Sequence, residues 1–375
     1  MTLITRIIIS SLIILFLFNG CSKKNQYETF SIYFDEEIGS WAPGALNIDE
    51  HHMTIVSPPM KIDRIYRSMQ GPFEYNEFNI PTDDDLIWLV GYKGSLIGQE
   101  GSVSESFMCH NNLDILNKDK NPWRIKTLGS STRIFTLTQG QCEIHLPEGF
   151  GIPLPANARF QMLSQVLNHN EASIEMDVQH KIDIIYKEQS EISEPMVPLY
   201  QQAVFVTKQL SGPSGAYGTP TNETYPTIEK PGMAQCVTNC EIDYSGEYNP
   251  YQDKFGRTYS GHWNIPVKEE VIHTNVTQMM NLEYDTKIHF ISLHVHPFAT
   301  SLELLDKTTG MTLYKGFSEN FENVIGLSKI DYFRSKEGLA VYKDHEYELI
   351  STYSCTDTLS QHTAMATMFL YLRDR

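Results

Sequence analysis

The sequence predicts an all-β protein built as two antiparallel β-sandwich, jelly-roll-like domains in tandem. Three observations carry this. Short apolar runs punctuated by Gly, Pro, Asn and Asp dominate, DLIWLVGY, RIFTLTQGQCEIHL, KIHFISLHVH and MTLYKGF among them. Many of them alternate at period two, the pattern of half-buried antiparallel strands, and few segments show a helical period. A chain of 375 residues is also long enough for two cores.

Residues 1–21 stand apart as an export segment. Arg6 supplies a positive start, Ile7 to Phe18 (IIISSLIILFLF) is too short to span a membrane comfortably, and Asn19-Gly20-Cys21 closes it. A small residue directly before Cys21 resembles a bacterial lipoprotein cleavage site, at which Cys21 would be lipidated. Phe18 departs from that pattern, which leaves a plain secretory signal as the alternative. The expected location is outside the cytoplasm, in the outer membrane or periplasm, with membrane contact only through the lipid. Residues 22–83 read as a polar tether and the start of the first domain, 84–192 as the first sandwich and 193–375 as the second. The break falls in the polar, Pro-containing stretch SEISEPMVP at Ser190 to Pro198.

Composition is that of a globular protein, 41% hydrophobic and 20% charged. The net charge of -17 argues against a nucleic-acid binder, because phosphate contact needs a basic surface. Apart from Cys21 there are five cysteines: Cys109, Cys142, Cys236, Cys240 and Cys355. In an oxidising compartment one or two disulfides and a leftover thiol are expected. Cys236 and Cys240 lack a second pair at zinc-finger spacing, so they are disulfide candidates rather than a zinc site. Asp253 and Asp285 lie outside any calcium-loop spacing and read as structural.

The stretch IHFISLHVHPF holds the strongest chemical signal. Side chains alternate along a strand, so His294 and His296 share a face and two imidazoles there can close on one metal ion. Leu293, Val295 and Phe298 make the surroundings apolar, where an unpaired imidazole is costly. The C-terminal run Ala364 to Leu372 carries Met365 and Met368 on opposite faces, either of which also suits a core.

His294-Val295-His296 followed by a terminal strand with Met365 resembles the copper type II, ascorbate-dependent monooxygenases, the family of peptidylglycine α-hydroxylating and dopamine β-monooxygenases. The resemblance covers roughly Asp84 to the end, is stronger in the second half, and fits a divergent bacterial member. It implies two β-sandwiches with one copper each and oxidoreductase activity. The activity would be hydroxylation of a C–H bond of a small organic substrate, with O2 and a one-electron reductant such as ascorbate. It makes His294, His296 and Met365 the ligands of the oxygen-activating copper, and imidazole with a soft thioether does favour copper.

For the other copper the family uses an adjacent His pair and a distant His. Leu167 stands where that third histidine belongs, and His169 lies two residues on, on the same strand face. The adjacent pair has two candidates, His51-His52 and Cys109-His110, the latter with the better spacing to His169. Cys109 is then a thiolate ligand, a disulfide partner of Cys142 or a buried small residue. Where the peptide-hydroxylating member grips a carboxylate with Arg, Asn and Tyr, this chain has Ser292, Thr367 and Phe369. Serine cannot replace a guanidinium clamp, so a peptide ending in glycine is not the expected substrate. Without the second copper, a non-catalytic copper-binding surface lipoprotein on the same scaffold is the alternative.

Overall fold

The computed structural model describes residues 30–35, 40–42, 50–116, 132–219, 227–228, 248–358 and 360–374. Cys21, Cys236 and Cys240 lie outside these. The first half of the chain supplies β1 (Phe30–Asp35), β2 (Ser40–Ala42), β3 (His51–Val56), β4 (Met60–Ile62), β5 (Phe73–Asn79), β6 (Leu86–Gly98), β7 (Gly101–Val103), β8 (Met108–Ile115), β9 (Arg133–Thr138), β10 (Glu143–His145), β11 (Phe150–Pro155), β12 (Arg159–Val166) and β13 (Met176–Glu188). The second half supplies β14 (Val197–Phe205), β15 (Lys208–Pro213), β16 (Thr227–Ile228), β17 (Thr258–Ser260), β18 (Trp263–Asn264), β19 (Glu269–Asn275) and a single helical turn, α1 (Thr277–Met280). It continues with β20 (Thr286–Val295), β21 (Ala299–Asp306), β22 (Met311–Asn320), β23 (Leu327–Ile330), β24 (Phe333–Val341), β25 (Tyr347–Ser354), β26 (Thr363–Ala364) and β27 (Ala366–Arg373).

The protein is all-β, with two jelly-roll-like sandwiches in tandem. One sheet runs through both, in the order β2-β1-β3-β13-β6-β11-β14-β27-β20-β24. The four-stranded sheet β5-β12-β8-β9 covers its first part, and the five-stranded sheet β19-β25-β21-β22-β23 covers its second. The chain crosses over within residues 189–196. Immediately after, β14 pairs with β11 in parallel (Phe150 with Val197, Gly151 with Pro198) and with β27 antiparallel. Most other pairs are antiparallel.

Burial follows the pleat. β25 (YELISTYS) alternates buried and half-buried at every residue, because one face packs on the second core and the other meets water. β20 differs in being buried on both faces from Ile288 onward. Ile291, Leu293 and Val295 enter the second core with Leu302, Leu349 and Met368. Phe290, on the opposite face, joins the first core with Phe135, Phe369 and Tyr371. A strand clamped between two layers reads as a nearly continuous apolar run, which is why IHFISLHV looks as it does.

The contact between the sandwiches is tight and polar at its edges. Tyr371 donates its hydroxyl to the Ile134 carbonyl at 3.1 Å, and Arg334 donates to the Leu146 carbonyl at 2.9 Å. Gln139 and Gln141, beyond the end of β9, accept the backbone N–H groups of Leu327 and Leu293 at 2.7 and 3.3 Å. Asp253 is structural: its carboxylate holds the fully buried Arg257 at 2.8 Å, and Arg257 in turn donates to the carbonyls of Pro213, Ala216 and Thr219.

The disulfide reading for Cys109 and Cys142 is corrected, since both are free thiols, as is Cys355. The reason lies in β8. Gln165 pairs with His110 but Val166 pairs with Met108, which makes Cys109 the extra residue of a β-bulge. Cys142 packs its sulfur on Met108, 3.4 Å from the thioether, and toward the Thr138 carbonyl. Burial pushes both the Cys109 and Cys142 thiols up, Cys109 to about 12, so neither is poised as a thiolate ligand.

Candidate metal centre between the sandwiches

The bulge at Cys109 also sets the direction of His110. Met108 belongs to the interior of the first sandwich with Met60, Leu96 and Val178. Asn111, inward-facing beyond the bulge, accepts from the Tyr92 hydroxyl and donates to Ser164 at 2.8 Å, while Leu113 and Ile115 line the core. In regular pleating Met108 and His110 would share a face. The extra residue lets Met108 point in and His110 point out, toward the second sandwich.

There His110 meets the histidines of β20. The ring centres of His110 and His294 are 5.9 Å apart, those of His294 and His296 are 5.7 Å, and those of His296 and His262 are 5.9 Å. Two imidazoles on one ion, each with its nitrogen about 2 Å from it, hold their ring centres roughly 5 to 6 Å apart. The observed spacings are of that size. His110, His294 and His296 are buried, and His262, just before β18, is half-buried and closes the group toward solvent.

The nitrogens are presented for a ligand role. His296 donates Nδ1–H to the Thr363 carbonyl at 3.0 Å, which leaves Nε2 as the bare nitrogen. That Nε2 is buried without a hydrogen-bond partner, and so is His294 Nδ1. A buried polar atom left unpaired is costly, and a bound ion would relieve it. The main chain of His296 is fixed as well: Tyr353 receives the His296 N–H on its hydroxyl at 3.2 Å and donates to the Met365 carbonyl at 2.6 Å.

Met365 lies in the break between β26 and β27. The ladder pairs His294 with Thr367 and Val295 with Ala366, and the next rung joins the His296 N–H to the Met365 carbonyl at 3.3 Å. Residues opposite one another in an antiparallel pair share a face, so the register places Met365 on the face of His294 and His296. Met368 pairs with Leu293 and belongs to the second core.

Burial is the main reason the imidazoles stay neutral. It brings His110 and His262 to about 3 and His296 to about 4, where the Thr363 carbonyl works in the opposite direction. It also drives His294 well below its ordinary range, helped by His296, His110 and His262. At neutral pH every ring therefore keeps a lone pair. Arg133 is a charged neighbour acting on both His110 and His294.

His169 sits one shell out. It contacts the Ser68 hydroxyl at 3.3 Å and lines a cavity of about 10 Å³, room for one water, with Arg67, Pro297, His362 and Thr363. Burial lowers it to about 3, with smaller contributions from His296 and His362. His362 donates Nε2–H to Asp357 at 2.7 Å and packs on Phe298, which holds a left-handed φ of 72° just after the β20 turn.

His51 and His52 lie elsewhere. They start β3, which pairs with β13 in the first part of the long sheet. His51 donates to Glu191 at 2.6 Å and stacks on Tyr186, and His52 is in the field of Asp183, Glu50 and His145. The structure thus brings together His110, His294, His296 and the Met365 position, holds His169 alongside, and keeps His51 and His52 apart. Sequence reasoning did not single out His262 or His362. Their signals were present, since SGHWN leads toward the histidine strand and QHTAM directly precedes the Met365 position.

No known family model matches the sequence, and no curated protein matches it. Among solved structures, the chain overlaps PNGase F, a glycosylasparaginase from Flavobacterium meningosepticum. The identity is 9% and the TM-score 0.32, over 86% of this chain and 96% of that one. It also overlaps PBCV-1 VP54 fitted into a reconstruction of the virophage Sputnik, at 8% identity and a TM-score of 0.31, over 86% and 93%. Overlaps this loose carry no argument about chemistry.

Proposed function

We propose that the protein binds one copper ion, as Cu(I), at a centre shared by the two sandwiches, with His110, His262, His294 and His296 as imidazole donors and Met365 beside them. The observation that carries this is the run of ring-to-ring spacings from His110 through His294 and His296 to His262, spanning both halves of the chain. The donor set is neutral and mostly buried. A dication there would face a desolvation cost with no carboxylate among the donors to offset it, and a monovalent ion has much less to lose. Imidazole with thioether is a copper set, and soft sulfur favours the reduced ion.

Copper bound there would supply one-electron chemistry. The residues of the chain orient the donors, exclude water and hold the rings neutral. Tyr353 fixes the His296 and Met365 backbone, and Thr363 fixes the His296 tautomer. Titration of the full chain with Cu(I) against a competing chelator tests the reading. One equivalent bound, and lost with His294→Ala, is the expected result. No uptake, or uptake unchanged by His294→Ala, overturns it.

A second reading, a copper monooxygenase using O2 and a reductant such as ascorbate, is favoured by the register that sets Met365 opposite His296, as the family resemblance implies. It requires a second redox centre, whereas His110 is drawn into the first. Two coppers per chain, with O2 consumed under ascorbate, would decide for it. Export with lipidation at Cys21 belongs to the same proposal, and metabolic labelling with palmitate, lost in Cys21→Ala, tests it.

A further inference from the structure

The adjacent histidines at the start of β3 are not absorbed by the shared centre, and one of them faces a different set of donors. Residues 189–191 form a single 3-10 turn, and its capping residue Glu188 and last residue Glu191 are three apart. In that geometry residues i and i+3 eclipse, so both carboxylates come to one side. The turn is pinned by Gln189, whose side-chain carbonyl accepts the Trp88 indole N–H at 2.8 Å. His51 meets the two carboxylates from beneath. One nitrogen of His51 and one oxygen each of Glu188 and Glu191 lie within 4.8 Å of one another.

The imidazole is built in rather than incidental. Its side chain is 5% exposed, and Tyr186 stacks on it with ring centres 5.0 Å apart. Nε2–H donates to Glu191, while Nδ1 is buried with no hydrogen-bond partner, so the protein leaves the ring half satisfied. Among the described residues, neither Glu188 nor Glu191 has a Lys or Arg ion-pair partner, and nearby Lys187 reaches toward Glu50 instead. Two carboxylates and one preorganised imidazole, with solvent on the outer side, make a cation site.

We infer that His51, Glu188 and Glu191 bind a divalent cation of the manganese kind, separately from the copper centre. Two carboxylates balance a double charge, and oxygen-rich sets suit manganese, while the imidazole argues against calcium or magnesium. Glu191 is 45% exposed and free to swing onto the ion. Binding takes the His51 nitrogen that now donates to Glu191, so the ring proton moves to Nδ1 and the ion replaces the hydrogen bond.

The test is Mn(II) titration of the metal-free full chain, read by loss of the free-ion electron paramagnetic resonance signal. One Mn(II) per chain is expected, weakened at least tenfold by Glu191→Gln and by Glu188→Gln and unchanged by His294→Ala. The two glutamate variants lie at the surface and keep the fold, so His51→Ala is not needed to decide. Absence of uptake up to millimolar Mn(II), or uptake in both glutamate variants unchanged from that of the wild-type chain, overturns the inference.

Discussion

Two histidine environments in this protein differ in the charge arranged around them. At the junction of the sandwiches, His294 and His296 sit among other neutral imidazoles, with Arg133 as a charged neighbour. At the end of β3, His51 faces two carboxylates with water beyond. The residue type is the same, but on the reading proposed above the first set would favour a soft monovalent ion by withholding charge, and the second a dication by supplying it. The identity of an ion is therefore read less from the count of histidines than from the charge arranged around them.

Replacing His294 and His296 together with Ala separates the two sites most sharply. Cu(I) affinity should fall by about 100-fold or more, while Mn(II) uptake at His51 is unchanged. A parallel loss of both would show that one site depends on the other. His110→Ala comes next. If the centre is shared, Cu(I) affinity falls by about 10-fold or more with stoichiometry still at one. If His110 served a separate ion, affinity at the first site would stay level and stoichiometry would drop.

Acid should destabilise the metal-free protein through the junction site. Burial depresses His110, His169 and His262 from 6.5 to about 3, so the unfolded chain binds the proton first. Their contribution is present above 6.5 and lost as pH falls toward 3. At pH 5.5 each removes about 1.4 kcal/mol, roughly 4 kcal/mol for the three. Urea unfolding at pH 7 and pH 5.5 measures this, and equal stability at both would mean the rings are solvated.

The smallest effect is expected for Tyr353→Phe, about 1 kcal/mol in stability and up to about 10-fold in Cu(I) affinity. If the hydroxyl acts through Met365, the affinity change should vanish in a Met365→Leu background. A full effect there would assign Tyr353 to the His296 backbone alone.

The strand character of the chain was legible because alternation survives in single-faced strands such as β25, and the His294–His296 face followed from the same rule. What stayed hidden depends on non-local pairing. The bulge at Cys109 exists only in register with Gln165 and Val166, so the sequence could not say that Met108 and His110 part ways. His262 reaches the cluster because Trp263 pairs with Ala364, a hundred residues on. His51 and His52 followed alternation too: in an ordinary strand, adjacent residues cannot serve one ion from one face. The Cys109–Cys142 disulfide failed because spacing along the chain carries no information about a bulge.

The sheet that runs unbroken from β2 to β24 has a consequence for exchange. Two bodies joined by a flexible linker can part to release what lies between them, but here parting would break the β11–β14 pairing together with the bonds that Tyr371, Arg334, Gln139 and Gln141 make across the junction. A weaker seam is the two-rung pairing of β18 with β26, which has His262 and Met365 at one end and His362, beside Ile265, at the other. Breathing of that short seam costs far less than separation of the halves. The ion's residence time would then be set by a few residues fraying at the rim, and hydrogen exchange at β18 and β26 would keep the same clock as metal loss.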